Sequence, residues 1–170
     1  MASASGRPAA RVKPLAPDSF ERILAWGSVV LLLCLIVALA RGRSQWGEVP
    51  PLIWIHLATI ALALALTPVL LLQPRGVKRH RQLGTIWVAA MIGTAIISLF
   101  IRESNDGRFS FIHIISAGTL ILVPRAWWAA RNHQVAQHRS AIRGIVTGAL
   151  LIAGFFTFPF NRLLGQWLFH

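Results

Sequence analysis

The fold is decided by the stretch IHLATIALALALTPVLLLQPRGVKRHR (residues 55–81), in which an apolar run enters a basic turn. A second stretch repeats the same order of features: IHIISAGTLILVPRAWWAARNHQVAQHR (residues 112–139). In both, an Ile-His pair opens the run, a proline interrupts it and a His-Arg pair closes the turn. The two histidines are 24 residues apart in one copy and 25 in the other. This regularity predicts a two-helix hairpin that occurs twice.

The composition predicts a protein that lies in a lipid bilayer. Of the 170 residues 55% are hydrophobic and only 13% are charged, and the mean hydropathy is +0.61. The 17 Lys and Arg residues against five acids would suggest nucleic acid in a soluble protein. Here they lie between apolar runs, which is typical of topology signals, so we predict no nucleic-acid partner. A single cysteine inside an apolar run, Cys34, excludes a disulfide framework and a thiolate metal site.

We predict an all-α membrane protein with five transmembrane helices. Two hairpin repeats, residues 52–101 and 109–160, are expected to form a four-helix bundle over residues 52–160. A further transmembrane helix over residues 20–41 is expected to be peripheral to that bundle, with Asp18 or Ser19 as its cap. The segments outside the spans are predicted to be a cytoplasmic basic tail (1–19) and an outer-surface tail (161–170). The five apolar runs cover about residues 23–40, 52–72, 82–101, 109–128 and 140–158.

The positions of the basic residues predict the orientation of the chain. Twelve of the 17 Lys and Arg residues fall on the side of the amino terminus, which places that terminus inside and the carboxyl terminus outside a bacterial inner membrane. His56 and His113 then form an outer pair, and His80 and His138 an inner pair. His133 is a rival to His138, which we prefer because Arg follows it directly, as Arg follows His80.

Two histidines at each membrane side suggest two bis-histidine sites for haem b. Two axial imidazoles fill both open positions of haem iron and favour electron transfer over ligand binding. Arg81, Arg139 and Arg143 are available for propionates at the inner side. We therefore expect one or two haems and a diheme b-type cytochrome. It would pass electrons to or from a quinone or another redox partner, as a membrane oxidoreductase component if it belongs to an enzyme.

Two other classes of function compete with the cytochrome. The small size is also compatible with a cofactor-free accessory or assembly subunit of a larger membrane complex. Imidazoles also suit copper, which requires three or four ligands to converge. For each histidine the plain alternative is an interfacial side chain that bonds to a carbonyl or to water.

Three motifs resemble a bacterial family of predicted membrane proteins of unknown function. They are a His at the start of one span (His56), Lys-Arg-His-Arg-x-x-Gly before the next (78–84) and Asn-His-x-x-x-x-His-Arg before the last (132–139). The resemblance covers about residues 52–165 and implies a four-helix core. The arrangement of histidines is also similar to the cytochrome b561 group, whose second and fourth helices hold one haem and whose third and fifth hold another. The chain departs from that group in its shorter His-to-His spacings and in having its inner histidines at helix starts.

Overall fold

A computed structural model describes residues 16–101, 111–159 and 162–169. Most of the predicted basic tail lies outside these residues, and so does the loop after the third apolar run. The described residues contain helices and no strands, as predicted. The long helices are α1 (Ser19–Arg41), α2 (Pro51–Leu72), α3 (Lys78–Phe100) and α4 (Phe111–Arg131). A 3₁₀ helix (Gly42–Glu48) joins α1 to α2.

The last part of the chain is helical from residue 135 to residue 155, which we call the fifth helix. It consists of α5 (Val135–Ile145), a π-helical stretch (Val146–Ile152) and α6 (Ala153–Phe155). A short helix, α7 (Leu163–Phe169), follows. Only α1 with its 3₁₀ extension, α2, α3 and α4 are each long and apolar enough to cross a membrane, within the described ranges. Four spans are thus supported, and the fifth stays a prediction.

The helices begin earlier than the apolar runs predicted. α3 starts at Lys78 rather than near residue 82, and α5 starts at Val135 rather than near residue 140. Basic side chains can occupy the first turn of a membrane helix because their stems lie along apolar surface while the charged ends reach water. His80 therefore lies on the first turn of α3, as predicted. His138 lies one turn inside α5, and not at its start as expected.

The helices form a closed ring, which differs from the predicted bundle with a peripheral first helix. Each helix from α1 to the fifth contacts the next, and the π-helical stretch of the fifth contacts α1. α1 thus lies between α2 and the fifth helix. A methyl group on Gly27 would lie 3.1 Å from Leu151 Cδ1, and one on Gly154 would collide with Leu31. Small residues such as these let two membrane helices approach closely. Because α1 contacts both α2 and the fifth helix, the prediction that it is peripheral is wrong.

The ring has two chemically different ends. We call the basic end the one where α1 begins and where the α2–α3 and α4–α5 turns lie. We call the distal end the one with the 3₁₀ helix and α7. At the distal end the indole Nε1 of Trp167 donates to Gln45 Oε1 at 2.6 Å, and Trp167 is only 3% exposed. The segment predicted to lie on the outer surface is therefore packed against the rest of the chain.

Candidate functional site

The interior of the ring holds a cavity of about 540 Å³ in its distal half. We call it the distal cavity. Residues from α1 to α4, the fifth helix and α7 line it, and most of them are aliphatic. This is the composition of a ligand pocket, in which a few polar groups fix the orientation of an apolar molecule. The polar lining residues are His56, Thr94, Ser98, Ser116, Thr119, Thr157 and Arg162.

Hydrogen bonds orient the imidazole of His56. Its Nδ1 lies 3.3 Å from Ser98 Oγ, and Ser98 Oγ donates its one proton to the carbonyl of Thr94 at 2.8 Å. Ser98 can therefore only accept a hydrogen bond from His56, so Nδ1 carries the ring proton. The neutral ring then has its lone pair on Nε2, the atom that binds metals and accepts protons.

His113 lies on the interior face of α4 and is 6% exposed. The buried residues of α4 include His113, Ser116 and Thr119, and these form one stripe along the helix. Ser116 and Thr119 line the distal cavity, whereas His113 is not among its lining residues. The structure thus brings one member of the predicted outer pair to the cavity and places the other on the same interior stripe.

A second cavity of about 180 Å³ lies in the other half of the ring, and we call it the basic-end cavity. His80 from α3 and His138 from α5 both line it. Nδ1 of His138 lies 2.9 Å from the carbonyl oxygen of Ala126, so this nitrogen donates. Nδ1 of His80 is buried with no hydrogen-bond partner among the described residues. The structure therefore brings the predicted inner pair to one cavity.

A layer of buried side chains divides the two cavities. On α2 Leu64 lines the distal cavity and Thr67 lines the basic-end cavity. On α3 Met91 lines the distal cavity and Trp87 lines the basic-end cavity. The indole of Trp87 donates to Thr67 Oγ1 at 2.9 Å, which joins the two helices at this depth. The two sets of histidines therefore border separate spaces.

Arg139 and Arg143, the predicted propionate partners, bind carboxylates of the protein. Glu21 is 0% exposed, and its carboxylate lies 2.6 Å from Arg139 Nε, 3.1 Å from Arg143 Nη2 and 2.5 Å from Arg75 Nη2. Asp18 pairs with Arg139 at 3.1 Å and also with Arg143. Arg81 lines the basic-end cavity. We call these five residues (Asp18, Glu21, Arg75, Arg139 and Arg143) the ion cluster.

The same two acids cap α1. The side chain of Asp18 accepts from the backbone N–H of Glu21 at 3.0 Å, and Glu21 accepts from the backbone N–H of Asp18 at 3.1 Å. This confirms Asp18 as the predicted cap. The bond from the Glu21 N–H holds the pKa of Asp18 below its ordinary value. The sequence analysis did not predict that Glu21 takes part in the cap, although Asp18 and Glu21 have the spacing of a capping box.

The structure separates His138 from its rival His133. His133 lies in the exposed turn after α4 with a φ of 58°, in the left-handed region. It does not line the basic-end cavity, and His138 does. Among the described residues no group of three or more His, Cys, Asp or Glu could hold a metal ion. Within those ranges the copper alternative lacks the three ligands that it requires.

The fold and its interior define a polytopic helical membrane protein with histidine-bordered cavities inside a ring of helices. The chain belongs to the family described as "Predicted membrane protein (DUF2306)", whose model matches residues 53–163. The match confirms the predicted membership of a membrane protein family of unknown function, and it spans the ring from α2 to the start of α7. No curated protein and no solved structure gives a significant match.

Proposed function

We propose that this protein is a b-type cytochrome of the membrane that carries electrons through a haem in the distal cavity. The observation that supports it is the pair of interior cavities bordered by histidines at the two predicted depths. His56 borders the distal cavity, and His80 and His138 border the other. Of the four predicted ligands His113 is buried and the other three are half-buried. Ionisable side chains inside membrane spans are costly, which indicates a functional role.

Two properties of the distal cavity support the proposal, its volume and the presence of His56, one of the two predicted ligands. Its volume of about 540 Å³ lies within the roughly 300–1,000 Å³ of cofactor pockets. His56 offers the lone pair of Nε2, and His113 is the second imidazole on the interior stripe of α4. His56 and His113 would hold the haem, which would supply one-electron chemistry. Ser98 would fix the tautomer of His56, as partners of metal-bound histidines do.

The basic-end cavity fits a haem in its donors but not in its size. His80 and His138 face one space, and Arg81 borders it. However, the volume of about 180 Å³ is smaller than cofactor pockets usually are. We therefore place the first haem in the distal cavity.

The proposal includes the orientation and the fifth span. The fifth helix runs over 21 residues, from 135 to 155, and closes the ring beside α1 and α4. At 1.5 Å per residue this length is about 31 Å, enough to cross a bilayer. The turns at the basic end carry an excess of Lys and Arg, which supports a cytoplasmic location for that end in a bacterial inner membrane.

A reduced-minus-oxidised absorbance spectrum of the protein, purified after expression with added haem precursor, tests the proposal. We expect a Soret band and an α band of a low-spin b-type haem, because His56 and His113 would hold the haem with two imidazoles. His56→Ala should remove the whole signal if one haem is bound, and about half if a second lies at His80 and His138. His113→Ala should act like His56→Ala.

The control variant is His133→Asn. It removes an exposed imidazole and keeps a residue type that tolerates the left-handed backbone found there. We expect its spectrum to match the unsubstituted protein. A colourless protein that folds and purifies normally would overturn the proposal and favour a cofactor-free accessory subunit.

A further inference from the structure

Among the described residues that line the distal cavity, Arg162 is the one with a permanent charge. It lies at the distal end, directly before α7, and is half-buried. Among the described residues no carboxylate lies within ion-pair distance of its guanidinium, in contrast to the arginines of the ion cluster. A permanent charge beside apolar walls therefore faces the cavity without a protein anion within those ranges.

The segment that carries Arg162 is fixed in place. Leu163 and Leu164 also line the cavity, so this segment closes its distal end. The bond between Trp167 and Gln45 holds α7 to the 3₁₀ helix. Gly165 approaches the carbonyl of Phe158 so closely that a methyl group there would collide with it. Arg162 is thus presented at a defined position, which is a property of binding sites.

Four of the five hydroxyl groups that line the cavity, all except that of Ser116, are poor donors toward a ligand. The side chains of Thr94, Ser98, Thr119 and Thr157 give their protons to Thr59 Oγ1 or to backbone carbonyls at 2.6–2.8 Å. The neutral His56 ring directs its proton to Ser98 in the same way. Among the described lining residues, Arg162 is therefore the charged donor for a ligand with an acceptor group, and the Ser116 hydroxyl is the uncharged one.

From these observations we propose that Arg162 binds the carboxylate of a molecule whose apolar body occupies the distal cavity. Arginine presents two parallel N–H groups that match a carboxylate, and this pairing is strong where water is partly excluded. The carboxylate can come from a haem propionate or from a fatty acid. The binding of a carboxylate by Arg162 does not depend on the proposed function. Only the identification of that carboxylate as a haem propionate rests on it.

The test compares Arg162→Gln with Arg43→Gln in the full-length purified protein. Arg43 is an exposed arginine near the same end of the ring that does not line the cavity. Haem binding is followed by absorbance titration, and palmitate retention by native mass spectrometry with methyl palmitate as the uncharged match. We expect Arg162→Gln to weaken the carboxylate ligand by about tenfold or more, and Arg43→Gln to leave it unchanged.

Two further measurements keep the test valid if Arg162→Gln folds poorly. Arg162→Lys retains the charge but loses the two parallel N–H groups. Its affinity for the carboxylate ligand should therefore lie between those of the unsubstituted protein and Arg162→Gln. Methyl palmitate has no carboxylate, so its binding to the unsubstituted protein tests the contact with Arg162 without any substitution. It should bind more weakly than palmitate.

The outcomes distinguish this inference from the proposed function. If Arg162→Gln loses affinity for haem and Arg43→Gln does not, the result supports both the inference and the proposed function. If only palmitate binds and its retention depends on Arg162, the inference stands and the cytochrome proposal fails. Equal affinities in Arg162→Gln and Arg43→Gln overturn the inference even if haem is bound, and so does the failure of both ligands to bind.

Discussion

The carboxylate of Glu21 meets arginines from two distant parts of the chain, Arg75 in the α2–α3 turn and Arg139 and Arg143 in α5. A buried ion pair costs much of its Coulomb energy in desolvation, so its presence alone says little about stability. Removing Glu21 is different because three partly buried arginines lose their shared carboxylate, and only the more exposed Asp18 remains to pair with two of them. Glu21 is thus expected to fix where α1 begins relative to the basic end.

Glu21→Gln should therefore destabilise the protein by about 3–5 kcal/mol, since three guanidinium groups lose their shared carboxylate. The measurement is the unfolding free energy in mixed micelles. Glu48→Gln is the control, because Glu48 is exposed in the 3₁₀ helix at the opposite end. Equal stability of the two variants would show that Glu21 does not hold the cluster together.

Asp18 belongs to the same cluster but is a weaker test. Its side chain is 44% exposed, against 1% for Glu21, so solvent screens its pairs with Arg139 and Arg143. Because its folded pKa is depressed, its contribution is present above the ordinary value of 3.8 and is lost as the pH falls through the lower folded value. At neutral pH the cap and the ion pairs of Asp18 are therefore complete.

At the scale of elements, α7 depends on two glycines that let it approach the rest of the chain. Gly42 lies under the indole of Trp167, and Gly165 lies against the Phe158 carbonyl. The second contact is the more restrictive because a backbone carbonyl cannot move aside as a side chain can.

Gly165→Ala should release α7 from the distal end. We expect faster amide hydrogen exchange over residues 163–169, with the rest of the ring unchanged, because local opening costs less than global unfolding. Gly47→Ala is the matched control, since a methyl group there meets no atom within 4 Å. Unchanged exchange in Gly165→Ala would show that the segment is held by other contacts.

The helices themselves were largely predictable, whereas their contacts were not. Apolar runs and basic turns located α2, α3 and α4 because hydropathy and charge follow depth in a bilayer. The choice of neighbours follows from small residues such as Gly27 and Gly154, and both the lipid-facing and the interior sides of a membrane helix are apolar. Periodicity therefore could not tell that α1 belongs in the ring.

For the whole molecule, the contact between α1 and the fifth helix decides whether the interior is closed. Gly154→Leu should force α1 away from the fifth helix, at a cost of about 1–3 kcal/mol for overpacking. Gly144→Leu is the control, because a side chain there enters open space. If the two variants are equally stable, α1 does not complete the ring. Unfolding in mixed micelles again provides the measurement.

The assignment of the histidines to opposite ends of the helices could be made from the sequence, whereas the partners of the charged residues could not be predicted. His56 borders one cavity, and His80 and His138 border the other. The partners of Glu21 are 54, 118 and 122 residues away in the sequence, and no local spacing reveals such pairs. Arg162 is one of the five Lys and Arg residues on the side of the carboxyl terminus, and its place beside the cavity depends on how α7 docks.

The π-helical stretch of the fifth helix sets the phase between the two ends of the molecule. A π-turn contains about one residue more than an α-turn. His138 and Arg139 precede this stretch, and Ala153 and Gly154 follow it. Loss of one residue from the stretch would restore a regular α-helix and rotate the later residues by about 100° relative to the earlier ones. A regular α-helix could then not place Arg139 at the ion cluster and Ala153 and Gly154 at the distal cavity at the same time. The π-helical stretch therefore allows one helix to make both sets of contacts.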